Sequence, residues 1–142
     1  MSDPPGIALV GCGLIGRKRA SNIVDARLVA CADTVAERAR ELAPTAAGVV
    51  PLSRWQDAIV RDDVDIVIVA TTNEALAPVS LAAVEAGKHV LVEKPAARTS
   101  AELDQVIEAA QRQNRRVRVG FNHRYHPAMQ EARALVDSGA LG

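Results

Sequence analysis

Short apolar runs alternate with amphipathic segments along the whole chain. Residues 7–10 and 28–32 form two such runs, which end at a glycine and at Asp33. Apolar runs of this length, bounded by turn residues, are typical of buried strands. Residues 14–24 between them have apolar positions at helical spacing and basic positions on the other side. This pattern predicts a helix and a first β-α-β unit.

The same alternation continues through the rest of the sequence. Further strands are predicted near residues 48–50 and at 65–70, 89–93 and 116–120. The run at 65–70 is continuous and β-branched, as in parallel strands buried on both faces. Helices are predicted over about 34–43, from 53 onwards, and over 75–86, 99–113 and 128–138. Capping boxes begin three of them, at residues 34–37, 53–56 and 99–102, and glycines end two, at Gly87 and Gly139.

Six strands that alternate with helices predict an α/β fold with one doubly wound, mostly parallel sheet. Each parallel pair needs a crossover connection, and helices supply it. The expected Rossmann strand order is 3-2-1-4-5-6, which opens a crevice between strands one and four. Ligands of such sheets bind outside the carboxyl ends of the strands, so the residues that follow each strand are the informative ones.

The first of these segments is a glycine-rich turn, Gly11-Cys-Gly13-Leu-Ile-Gly16. In the G-x-G-x-x-G pattern the first glycine permits a tight turn, the second lets a pyrophosphate approach the backbone, and the third lets helix and strand pack closely. Leu14 and Ile15 begin the predicted helix, where free amide groups and the helix dipole favour an anion. The position between a strand and a helix therefore predicts dinucleotide binding rather than a merely structural turn.

Asp33 ends the second strand and bears on which dinucleotide binds. A carboxylate there can accept hydrogen bonds from both hydroxyls of the adenosine ribose, whereas the additional phosphate of NADP would meet like charge. NAD is therefore expected rather than NADP. Two observations compete with this interpretation: Asp33 could instead cap the following helix, and Arg38, one turn into that helix, could reach a phosphate.

Other polar residues follow the later strands. Thr71, Thr72 and Asn73 follow strand four, Glu93 and Lys94 end strand five before a proline, and Asn122 follows strand six. A lysine at the mouth of a cofactor crevice can stabilise a developing alkoxide or assist proton transfer, so Lys94 is the candidate catalytic residue. The alternative is a Glu93–Lys94 ion pair with a purely structural role.

Composition excludes several classes of partner. Seventeen basic and seventeen acidic residues balance, so no overall field draws the chain to nucleic acid or to an anionic membrane. No apolar run approaches the roughly 20 residues of a membrane span, and a cytoplasmic location is expected. Cys12 and Cys31 lack partners at metal-ligand spacing and are expected to be reduced structural residues. His123 and His126 likewise lack such partners, and no metal is expected.

Three sequence motifs resemble those of the Gfo/Idh/MocA oxidoreductases. They are the glycine turn, Ala86-Gly-Lys-His-Val-Leu-Val-Glu-Lys-Pro95, and Val119-Gly-Phe-Asn-His-Arg124 with Pro127. The resemblance runs from about residue 7 to 142. It implies the N-terminal NAD(P)-binding domain of an enzyme that moves hydride between nicotinamide and a hydroxyl carbon of a sugar, cyclitol or nucleotide sugar. By the same resemblance, Lys94 and Asn122 lie near the nicotinamide and the substrate.

The sequence also departs from the family pattern. Thr72 and Leu76 stand where proline and histidine are frequent, and Arg19 stands where histidine is frequent. The resemblance divides the chain into a dinucleotide-binding domain, residues 1–125, and a helix, residues 126–142, that leads toward an absent substrate domain. It places Leu141 and Gly142 at a domain-joining strand and implies that the full-length form is a homo-oligomer.

Two other functions remain open at this level. A non-catalytic NAD-binding sensor or regulatory module would share the glycine turn and Asp33. An aldehyde or imine reductase on the same fold would also share the crevice. The residues that would select a substrate are mostly outside this sequence under the family interpretation.

Overall fold

The computed structural model describes residues 3–140. Their six strands form one sheet. All strand pairs are parallel, in the order β3-β2-β1-β4-β5-β6, so the predicted Rossmann topology is confirmed. The strands are β1 Gly6–Val10, β2 Arg27–Ala32, β3 Val50–Leu52, β4 Ile66–Val69, β5 His89–Val92 and β6 Val117–Val119. Because the order reverses between β1 and β4, the crevice expected at that point lies beside the glycine turn.

Six α-helices connect and follow the strands: α1 Leu14–Ala20, α2 Ala36–Leu42, α3 Trp55–Ile59, α4 Asn73–Glu85, α5 Ser100–Arg112 and α6 Pro127–Asp137. Short 3-10 helices cover Ala43–Thr45 and Asn122–Tyr125. Helix α1 ends four residues before its predicted end. The side chains of Ser21 and Asn22 donate to the carbonyl of Lys18, at 3.0 and 2.6 Å, and so satisfy an acceptor at the helix end.

Two apolar layers cover the faces of the sheet. Every residue of β1 is buried, and its side chains alternate between the layers. One layer contains Val10, Val69 and Leu76 of α4, and the other contains Leu9, Cys31 and Leu42 of α2. Burial of three of the four residues of β4 confirms the prediction of a strand covered on both faces.

Two of the three predicted capping boxes are wrong. Thr99 does cap α5, since its hydroxyl accepts from the amide of Glu102 at 3.2 Å. Thr34 and Ser53 make no such bond, and their helices begin later, after Val35 and Arg54. At the first of these turns the carboxylate of Asp33 accepts the amide hydrogen of Val35. This bond takes the place of the Thr34 capping box before α2.

Strand β3 begins at Val50, slightly after the predicted position near residues 48–50. Gly48 has a φ of +80° and turns the chain just before the strand. Among residues 3–140 no helix is long and apolar enough to cross a membrane. The domain-joining strand expected at Leu141 and Gly142 lies outside the described residues.

Candidate functional site: a crevice at the carboxyl edge of the sheet

The glycine turn is shaped by backbone contacts that only glycine allows. Gly11 has a φ of +94°, and its amide donates to the carbonyl of Ala32 at 2.8 Å. A β-carbon on Gly11 would lie 2.3 Å from the carbonyl oxygen of Ala70, and one on Gly16 would lie 1.9 Å from that of Gly11. These two glycines therefore pack the turn against β4 and against α1, as the motif predicts for the first and third positions.

Gly13 differs from both neighbours because it faces open space. A β-carbon there would meet no heavy atom within 4 Å, so the chain itself does not require glycine at this position. Gly13 precedes α1, and no side chain among residues 3–140 caps that helix, which leaves its first amide groups free for a ligand. This is the geometry expected where a pyrophosphate approaches the backbone.

Asp33 joins the turn to the end of β2. One carboxylate oxygen accepts from the amide of Cys12 and the other from the amide of Val35, both at 2.8 Å. The capping alternative is wrong, because within residues 3–140 the N-cap of α2 is Val35 and no side chain caps that helix. The bond between Asp33 and the Val35 amide lies in the turn before the helix. A carboxylate offers about four lone-pair sites, so both oxygens keep capacity for ribose hydroxyls.

A cavity of about 360 Å³ lies in front of these residues. Seven predicted site residues line it: Gly11, Gly13, Leu14, Ile15, Asp33, Thr71 and Thr72. The sequence reasoning missed several further lining residues, which include Thr34, Ser53, Trp55, Ala75 and Val79. Ser53 and Trp55 could have been predicted as site residues only from their position just after a strand. That signal was weak, because the third strand has the least distinct hydrophobic pattern of the six. Arg38 also lines the cavity.

Two predicted site residues near the crevice do not line this cavity. Gly16 is buried behind the turn, where it serves the packing of α1. Asn73 is exposed as the first residue of α4. The adjacent Thr72 donates from its hydroxyl to Glu74 at 3.4 Å instead of capping that helix.

Glu93, Lys94 and Asn122 form a second group, outside the cavity and at the ends of β5 and β6. The Glu93 carboxylate forms an ion pair with Arg19 of α1, so the alternative of a Glu93–Lys94 pair is wrong. Arg19 also donates from Nη2 to Oδ1 of Asn122 at 2.8 Å. Lys94 is exposed and makes no side-chain hydrogen bond or ion pair with any other residue from 3 to 140. Sequence reasoning did not assign Arg19 a role in the site.

The two cysteines lie together beneath the turn. Both thiols are free and buried. The Cys12 thiol donates to the carbonyl of Ala32 at 3.5 Å, and the Cys31 thiol donates to that of Ala39 at 3.3 Å. The neighbouring Cys31 side chain and burial raise the pKa of Cys12, and the neighbouring Cys12 side chain lowers the pKa of Cys31. Cys12 and Cys31 thus fill the apolar layer behind Asp33, in agreement with the structural role expected for them.

Comparison with known proteins agrees with this geometry. The model of a family described as "Oxidoreductase family, NAD-binding Rossmann fold" matches residues 6–121. The chain belongs to the Gfo/Idh/MocA oxidoreductase family. It is 38% identical over 140 residues to an inositol 2-dehydrogenase of Salmonella paratyphi B, an alignment that covers 94% of this chain and 42% of that protein. The chain therefore spans less than half the length of the curated relatives it matches.

Solved structures show the same relationship. A putative myo-inositol dehydrogenase from Sinorhizobium meliloti superposes with a TM-score of 0.83 at 30% identity, over 97% of this chain and 42% of that one. A 3-ketoreductase from Actinomadura kijaniata, in complex with TDP-benzene and NADP, superposes with a TM-score of 0.87 at 24% identity, over 98% and 45%. The second likeness shows the fold alone.

Proposed function

We propose that this chain binds NAD in preference to NADP. The observation that carries the proposal is the position of the Asp33 carboxylate on the wall of the cavity that Gly11, Gly13 and Ile15 also line. Open space at Gly13 fits a pyrophosphate, and the free lone pairs of Asp33 fit the hydroxyls of the adenosine ribose. Arg38, which also lines the cavity, would favour an additional phosphate.

Calorimetric titration of the chain with NAD and with NADP tests this proposal. We expect the Kd for NAD to be at least about tenfold lower, because the NADP phosphate would lie beside a carboxylate. Arg38→Ala should leave the NAD affinity nearly unchanged if that side chain does not hold a phosphate. Tighter binding of NADP, together with its loss in Arg38→Ala, would reverse the assignment.

We further propose that the chain is the dinucleotide-binding part of a longer oxidoreductase. Its substrates would be sugars, cyclitols or nucleotide sugars, a class supported by the inositol 2-dehydrogenase relatives. Residues 1–125 would form this domain, and α6 would lead toward a substrate domain. Every residue from 121 to 140 is exposed, which supports this division, as does the coverage of 42% of the inositol 2-dehydrogenase relative. A cytoplasmic location and a homo-oligomeric full-length form belong to the same proposal.

The glycine turn and Asp33 would hold a nicotinamide dinucleotide, which would supply the hydride chemistry of the proposed reaction. Lys94 would hold the substrate oxygen by a hydrogen bond from its ammonium group and would stabilise negative charge that develops there. The ion pair between Glu93 and Arg19 supports this role, because it leaves the Lys94 ammonium without an acidic partner in the described part of the chain. Asp33 and the glycine turn would fix the distance between cofactor and substrate.

A further inference from the structure

A polar cluster at the end of the sheet joins three elements that are far apart in sequence. Arg19 of α1 holds Glu93 after β5 and Asn122 at the start of the last 3-10 helix. The side chains of Arg19 and Glu93 are only 21% and 12% exposed, so this ion pair is shielded from water on most sides. The cluster lies directly beside Lys94 in the chain.

Gly120 has no side chain, and this leaves space for the ion pair between Arg19 and Glu93. A β-carbon on Gly120 would lie 2.8 Å from Nη2 of Arg19 and 3.2 Å from each carboxylate oxygen of Glu93. The amide of Asn122 donates to the carbonyl of Gly120 at 3.0 Å, which holds the Asn122 backbone close to the ion pair. The arrangement is thus fixed by the backbone as well as by side chains.

The chemistry of arginine determines which end of the Asn122 amide faces outward. A guanidinium group has five N–H donors and no acceptor, so its neighbour must present an oxygen. Oδ1 of Asn122 therefore faces Arg19, and the Nδ2 amino group, with two donors, is left for other partners. Nδ2 makes no hydrogen bond within residues 3–140.

The order of the strands indicates what the free donor would meet. The proposed NAD site begins at Asp33 after β2 and passes the glycine turn after β1 and Thr71 after β4. The same order along the dinucleotide is adenosine ribose, diphosphate, second ribose and nicotinamide. The next strands in the sheet are β5 and β6, which end at the cluster.

We propose that Arg19 is a positioning residue that turns the amino group of Asn122 toward the carboxamide oxygen of the nicotinamide. This inference rests on the proposed function, which places a dinucleotide in the crevice. Asn122 supplies the hydrogen bond, and Arg19 acts only through Asn122 and Glu93.

The test compares NAD with ADP-ribose, which shares every group of NAD except the nicotinamide. Asn122→Asp keeps an oxygen for Arg19 but replaces the outward donor with an acceptor. We expect this variant to bind NAD about tenfold more weakly by calorimetry and to bind ADP-ribose as the unaltered chain does, with no loss of thermal stability. Asn114→Asp makes the same change of charge at the opposite edge of the sheet and should alter neither affinity.

Arg19→Lys provides the second arm. Lysine carries its donors on one nitrogen, so it cannot reproduce the separate contacts of Arg19 Nε with Glu93 and of Nη2 with Asn122. NAD affinity should therefore fall while ADP-ribose affinity stays constant. An equal loss for both ligands, or no loss for either, would overturn the positioning role. If the unaltered chain binds ADP-ribose as tightly as NAD, the nicotinamide contact is absent although the dinucleotide site stands. If it binds neither ligand, the proposed function itself fails.

Discussion

The two halves of the carboxyl edge of the sheet are built in different ways. Near β1 and β2, main-chain groups form the site: Gly11 packs against Ala70, and Asp33 accepts two backbone amides. Near β5 and β6, the contacts join side chains, and residues 121–140 beyond them are exposed throughout. A backbone-built half suits the adenosine ribose and diphosphate of the proposed dinucleotide, and a side-chain-built half suits the nicotinamide and the substrate beside it. Affinity and turnover should therefore respond to different mutations.

Lys94→Met should have the largest effect of these substitutions. It should lower turnover without lowering NAD affinity, and so distinguish the roles of the two halves. In the proposed longer oxidoreductase we expect kcat to fall by about 100-fold or more, since the variant removes the group proposed to stabilise the substrate oxygen. Calorimetry should show an NAD affinity within about threefold of the original, because the affinity comes mainly from the other half. Unchanged turnover with sugar, cyclitol and nucleotide-sugar substrates would remove Lys94 from the proposed mechanism.

Gly16→Ala tests the backbone-built half. The new β-carbon would lie 1.9 Å from the carbonyl oxygen of Gly11, and neither backbone segment can give way cheaply. The free energy of unfolding should fall by about 3 kcal/mol, measured by urea denaturation, and NAD binding should be lost.

Gly13→Ala is the matched control for that substitution. Its β-carbon meets nothing within 4 Å, so the free energy of unfolding should change by less than about 1 kcal/mol. NAD affinity should nevertheless fall at least about tenfold, because the methyl group would occupy the space proposed for the pyrophosphate. Equal destabilisation by the two alanines would show that both glycines serve the fold alone.

Met129→Ala should have the smallest effect. Met129 is 54% exposed on α6, and that helix has no buried residue. The free energy of unfolding should change by less than about 0.5 kcal/mol in the same denaturation experiment. Leu76→Ala, which truncates a fully buried side chain of α4, should cost about 2–5 kcal/mol. A cost above 1 kcal/mol for Met129 would mean that α6 packs against the domain in solution.

The backbone-built half could be predicted from sequence because it depends on local patterns. The glycine turn lies within six residues, and the carboxylate of Asp33 follows at the end of the next strand. The parallel sheet also followed from the alternation of strands and helices, since parallel neighbours require crossovers. The Rossmann strand order is the one typical of sheets that carry a G-x-G-x-x-G turn after the first strand. The two capping boxes were predicted wrongly although their residue patterns are local. At Thr34, the Asp33 carboxylate accepts the Val35 amide, and α2 begins after Val35.

The side-chain-built half could be predicted only in part. Glu93, Lys94 and Asn122 each follow a strand, which was enough to place them at one edge. Their partner Arg19 is separated from Glu93 by 74 positions and from Asn122 by 103. No periodicity connects residues so distant, and the ion pair depends on the space left by Gly120. Such contacts become visible only when the elements are packed.

The double attachment of Asp33 has a consequence for redesign. Replacing this residue is the obvious route to an NADP-dependent variant, but the substitution would also strip the Cys12 and Val35 amides of their acceptor. An exchange of cofactor preference would then be coupled to the shape of the glycine turn. A successful redesign would need a second substitution that supplies a replacement oxygen to these amides, so the proposed preference for NAD would be protected against single changes at this position.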